Sequence, residues 1–385
     1  MTGDETPKKK TRGLLRIVGS FLSLAALTYI AIALISGRDM GLSWIKGLFA
    51  SHEPVEMANE YIFDVGSDRV FADLGGPLAS VGTLGVQVLD AGGSQSLRDP
   101  LRMSRPAIAA AGGRAIAFDI GGTAVRGFDK TQIAAAIETD SVIISASING
   151  NGWFCVCTQG TSGYKGVVTV YNNKGSDVYK VSLSSGYILS AALSPDNKSL
   201  SVLNLTGDGS TITFYHGLNG ETADSAFALS DELILDISYP PSGDLVAIST
   251  QSLIAVNKNG EGRILYDFSG RRLSAYTLAG GFYSLHLLDF GVGYKGRLVT
   301  IGENGSLLGE YPTDRELISM SCGGGYLAVL RNDGPVFFNE KLEEFPSSSE
   351  RVSTSGVNKI IALGGGSALA AGEHAAVVCR IGASS

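Results

Sequence analysis

The chain has 385 residues, of which 51 are glycine, with 44% of positions apolar and only 17% charged. Low charge beside high apolar content excludes disorder, glycine without an every-third-residue period excludes collagen, and the remaining profile is one of many short strands joined by tight turns. Residues 1–57 hold seven Lys or Arg against five Asp or Glu, leaving 23 against 32 in the rest. An acidic remainder with scattered basic residues carries no electrostatic footprint for nucleic acid.

In chain order, the first feature is an uncharged run at residues 17–37, IVGSFLSLAALTYIAIALISG. About 20 helical residues cover the ~30 Å hydrocarbon core of a bilayer, so the sequence predicts a transmembrane helix within residues 13–37. Lys8, Lys9, Lys10, Arg12 and Arg16 crowd its N-terminal side, against Arg38 and Lys46 beyond it. Positive-inside bias then keeps residues 1–12 in the cytoplasm and places the rest outside the cell membrane. The competing reading is a signal peptide cleaved at Ala31-Ile32-Ala33. The apolar run is longer than the ~7 to 15 residues of a signal core, and Trp44 and Phe49 suit an interfacial stretch in a juxtamembrane linker, residues 38–58. The first cysteine is Cys155, which argues against a lipid anchor.

Over residues 59–385, short apolar runs recur: PLASV, RAIAF, WFCVC, SLSVL, LVAIS, FYSLH, YLAVL and SALAA. Their second residues, from Leu78 and Ala115 through Phe154, Leu200, Val246, Tyr283 and Leu327 to Ala368, are 37 to 46 apart. That spacing matches a four-stranded propeller blade of roughly 40 to 45 residues. Within a unit, a first strand (ISASI, ILSAALS, LILDIS, LISMS) leads through a Gly- or Pro-rich turn to the aligned run. A third strand then ends in VYNNKG, AVNKNG or TIGENG, where Asn and Gly accept positive φ, and a fourth strand such as DVYKVSL closes the blade. Ser194-Pro195-Asp196-Asn197-Lys198 and Pro240-Pro241-Ser242-Gly243-Asp244 occupy equivalent first turns.

The prediction is an all-β propeller of eight four-stranded blades. The last unit ends three strands in, and the alternating run YIFDV at residues 61–65 is the candidate to supply its fourth strand and remove two raw edges. QIAAAIE at residues 132–138 is poor in β-branched residues; as a helical turn it would reduce the count to seven. The SPDNK turn and the third-strand turns resemble WD-repeat-like and quinoprotein-like propellers. The whole organisation over residues 13–382 is similar to an uncharacterised family of Gram-positive bacterial proteins that join one N-terminal helix to such a propeller. That resemblance implies a shape and a place, and no activity.

No catalytic or cofactor signature accompanies the repeat. Quinoproteins carry a tryptophan in each blade, whereas Trp44 and Trp153 are the only two here, so no quinone cofactor is expected. Ser194 and Asp196 start a sialidase-like Asp-box that no tryptophan completes. Cys155 and Cys157 alternate onto one strand face and read as packing, with neither the second pair nor the spaced histidine that zinc requires. His52, His216, His286 and His374 are scattered, and Asp208 in TGDGS reads as a turn. One element repeats: Gly163-Tyr164-Lys165-Gly166 and Gly293-Tyr294-Lys295-Gly296, each between second and third strands. Tyr164, Lys165, Tyr294 and Lys295 are therefore the candidate contacts for a protein or polymer partner on one propeller face. The resulting expectation is a non-enzymatic interaction scaffold or sensor; the alternatives are a hydrolase or lyase at the channel mouth and an envelope-protein assembly factor.

Overall fold

The eight recurrent apolar runs form the second strand of every blade: Leu78–Gly82, Arg114–Asp119, Phe154–Gln159, Ser199–Thr206, Leu245–Ser249, Phe282–Asp289, Tyr326–Arg331 and Ser367–Gly372. They read as apolar runs because both faces of each are covered by neighbouring blades; all of Leu245–Ser249, for example, is buried. The computed structural model describes residues 57–381 except 231, 242, 292, 346–355, 364–365 and 373–375. The predicted membrane span and most of its linker lie outside the described residues, among which no helix is long and apolar enough to cross a membrane.

The strands assemble into eight antiparallel sheets. Seven have four strands, and blade 7 has three among the described residues, Leu317–Gly323, Tyr326–Arg331 and Gly334–Asn339. First strands of neighbouring blades approach one another around the axis, while fourth strands such as Asp177–Leu183 form an exposed rim in which every second side chain turns inward. QIAAAIE is a strand, Ile133–Glu138. Its alanines suit the tight space, with Ala135 buried against Phe154 and Val156 of blade 3.

Blade 8 closes the ring with strands from both ends of the domain, as expected, but the N-terminal strand is Met57–Glu60 rather than residues 61–65. Met57 pairs with Cys379, Ala58 with Val378 and Glu60 with Val377. The run at 61–65 does alternate, with Tyr61 and Val65 buried and Ile62 and Asp64 exposed. It spends that alternation on crossing to blade 1. Asp64 N donates to Gln87 Oε1 at 3.1 Å and Leu84 N to Val65 O at 2.8 Å.

Each blade therefore presents two kinds of end. Second-to-third-strand loops share one end with the links that lead to the next blade, and hydrogen bonds tie them together: Lys165 N to Leu183 O at 2.7 Å, Thr250 N to Leu233 O at 3.0 Å, Leu101 N to Leu84 O at 3.2 Å. First-to-second-strand turns occupy the other end, where Asn149 of blade 3 donates to Ser194 O of blade 4 at 3.0 Å.

Candidate functional site

Both GYKG segments fall where the sequence predicts, between the second and third strands of blades 3 and 6. The hairpins close alike, Gly160 N donating to Lys165 O at 3.3 Å and Asp289 N to Lys295 O at 2.9 Å. Their glycines answer to the backbone. Gly163 and Gly293 have φ of +95° and +60°, a region that side chains rarely tolerate. A Cβ on Gly296 would stand 2.1 Å from Leu287 O, and one on Gly166 2.5 Å from Ile188 Cδ1. The Tyr and Lys have no such structural employment. Tyr164 and Tyr294 are 49% and 52% exposed, and the lysines project into solvent, Lys165 with its Nζ 5.9 Å from the centroid of the Tyr187 ring.

Tyr187 opens the first strand of blade 4, at the end that carries the GYKG loops. Leu84, Leu233, Phe290 and Ile318 stand at the same end, on second-to-third-strand loops, an inter-blade link or the start of a first strand, and all are exposed. At the opposite end Val178, Ile264 and Leu307, each within the first three residues of a fourth strand, are exposed. The structure thus brings the two predicted tyrosines to one end, on blades three apart, within a wider set of apolar side chains that the repeated motif alone does not reveal. Phe290, three positions before Gly293, is a signal the sequence carries; Leu233 reads there as an ordinary strand residue and Tyr187 as the residue before one.

The other candidates resolve into structure. Cys155 and Cys157 are free, fully buried and packed against blade 4, and burial pushes the Cys155 thiol up to about 11 and Cys157 higher still. His216 bonds Ser199 Oγ and Lys258 O, each at 2.9 Å. His286 is buried with Nε2 3.2 Å from Thr313 Oγ1, and burial, helped by Arg272, lowers its pKa to about 4. Ser194 and Asp196 bond each other at 2.6 Å and hold their turn through Lys198 N. Asp208 lies in a turn. His52, His374 and Trp44 lie outside the described residues.

The described first strands carry two carboxylates, Asp73 and Asp236. Asp73 caps its own hairpin, accepting from Gly75 N at 3.1 Å and Gly76 N at 2.9 Å. Asp236 is largely buried, and burial raises its pKa despite hydrogen bonds from Ile237 N and the Tyr276 hydroxyl, the latter at 3.4 Å.

Eight blades closed by strands from the two ends of the domain define an eight-bladed β-propeller. The backbone is similar to the C-terminal WD40 domain of Sif2, with a TM-score of 0.58 at 13% identity over 86% of this chain and 99% of that one. It is also similar to BamB from Moraxella catarrhalis, with a TM-score of 0.52 at 15% identity over 85% and 99%. Streptogramin B lyase matches with a TM-score of 0.50 at 13% identity over 85% and 98%. At such identities the likeness is one of fold. No curated protein sequence matches. The chain belongs to the family of unknown function DUF5711, whose pattern covers residues 51–278.

Proposed function

We propose that the protein is a non-enzymatic binding scaffold, held at the outer face of a cell membrane by residues 13–37, that engages a protein or polymer partner on the loop end of its propeller. The single observation that carries this reading is the gathering there of exposed apolar side chains, Tyr164, Tyr187, Phe290 and Tyr294 foremost. Large exposed apolar surface marks interaction sites, and aromatic residues dominate binding energy at interfaces. The GYKG loops add a cation beside each tyrosine on a hairpin closed by backbone hydrogen bonds. The placement outside the cell rests on the uncharged run and its flanking basic residues.

Alanine in place of Tyr164 or Tyr294 tests it. Surface changes usually stay within about 0.5 kcal/mol, so thermal unfolding should barely move while recovery of the crosslinked partner from membranes falls. A lowered unfolding midpoint with unchanged recovery would make the tyrosines packing residues and refute the proposal.

A further inference from the structure

The outer strand of each blade is a sheet edge, and an edge invites pairing with another chain unless charge, a bulge or proline blocks it. Six of the seven described outer strands are blocked in the first two ways at once. Glu60, Arg98, Glu138, Lys180, Arg263 and Glu310 lie on those of blades 8, 1, 2, 3, 5 and 6 in turn. Each of the six also shifts register against the third strand of its blade. The outer strand of blade 4, Ser225–Leu229, has neither device. SAFAL carries no charge and no proline, and it pairs with the third strand, Gly209–His216, from Ser210 opposite Leu229 to Phe214 opposite Ser225 without a shift.

Three of its side chains are occupied by blade 5. A Cβ on Gly262 would stand 2.4 Å from Phe227 Cε2, Leu229 packs on the core shared with blade 5, and Ser225 Oγ donates to Lys258 O at 2.7 Å. The alternate residues, Ala226 and Ala228, are exposed and end in methyl groups, too short to screen the backbone beside them. Among the described residues the third strand is the only one paired with this strand. On the neighbouring outer strands, Val178 of blade 3 and Ile264 of blade 5 are 41% and 60% exposed, so apolar side chains flank the uncharged edge on both sides.

Symmetry and charge select the occupant. When a strand pairs antiparallel with its own copy, residues equidistant from the two-fold axis face one another and a residue on the axis meets itself. Lys180, in the middle of Asp177–Leu183, would there oppose a second lysine. An axis at Phe227 sets Ala226 of one copy opposite Ala228 of the other, small against small, with no charge to repel. A foreign strand is selected by opposite charge or by pockets for its side chains, and two exposed methyl groups supply neither. We infer that the outer strand of blade 4 pairs antiparallel with the same strand of a second copy, joining two propellers by sheet extension. The contact lies on the rim and not on the loop end, so the inference goes beyond the loop-end reading and does not depend on it.

Disulfide formation on the intact chain in membranes tests both the dimer and its register. Chains carrying Ala226→Cys, co-expressed with differently tagged chains carrying Ala228→Cys, should oxidise to a mixed dimer in high yield, because directly opposite Cβ atoms are about 5 Å apart. Either variant alone should give little, its two thiols being one diagonal step apart at roughly 7 to 8 Å. The unsubstituted chain, whose own cysteines are free, gives the background. In sedimentation of the intact chain, Ala226→Lys with Ala228→Lys should weaken self-association roughly tenfold by setting like charges opposite one another. Ala226→Lys with Ala228→Glu should restore it through two opposite-charge pairs, and Tyr294→Ala should leave it intact. No disulfide above background, equal yields from mixed and single variants, or equal association of the two charge variants would overturn the inference. Capture of a different protein at this edge in place of a second copy would overturn it as well.

Discussion

Ala58 lies directly opposite Val378 in antiparallel register, so the ring is fastened by residues 320 positions apart in the chain. Two sheet edges are thereby paired that would otherwise offer unsatisfied backbone groups to other chains. A domain beginning at residue 61 should lose roughly 3 kcal/mol or more relative to one beginning at residue 51 and should aggregate. Equal denaturant midpoints for the two would contradict the closure.

The GYKG motif divides into structural and presented halves. Gly296→Ala drives a Cβ into the Leu287 carbonyl, 2.1 Å away in the present geometry, and backbone cannot move aside as a side-chain tip can. It should cost about 2 kcal/mol or more, whereas Lys295→Ala should stay within about 0.5 kcal/mol. Calorimetric unfolding of the two variants distinguishes these positions, and equal losses would mean that the lysine is part of the packing.

His286 makes stability depend on pH. Its folded pKa is lowered to about 4 from the ordinary 6.5, so between those values the unfolded chain binds the proton and the folded one does not. The stability associated with the neutral ring is complete above pH ~6.5 and is lost as pH falls toward 4, up to ~3 kcal/mol. Denaturant unfolding from pH 7 to 4 should show a shallower acid decline for His286→Leu than for the natural protein. Parallel declines would show that the histidine does not contribute.

The membrane reading yields a separate outcome. With residues 1–12 cytoplasmic, protease added to intact protoplasts should remove the propeller while sparing a tag at the N-terminus. Survival of the propeller until lysis would reverse the orientation.

Much of the fold was legible because second strands are covered on both faces and show as unbroken apolar runs, and all eight were found from that signal. Met57–Glu60 was not, since MANE carries no apolar alternation and pairs through its backbone, which any side chain permits. Residues 61–65 misled for the converse reason: Tyr61 and Val65 are buried side chains of the link from blade 8 to blade 1, and burial of alternate residues does not require a ladder. The loop-end site was half legible, through a motif that occurs twice, while Tyr187 and Leu233 join it only once the links are folded beside the loops.

The claim that the loop end is the binding surface is tested most directly by site-specific photocrosslinking in living cells. A photoreactive residue is placed in turn at Tyr164, Tyr187 and Tyr294, and in turn at Lys174 and Asn304 on turns of the opposite end. The account predicts a common discrete adduct from the first three positions and none from the last two. Adducts of equal yield from both ends, or from Lys174 and Asn304 alone, would contradict it.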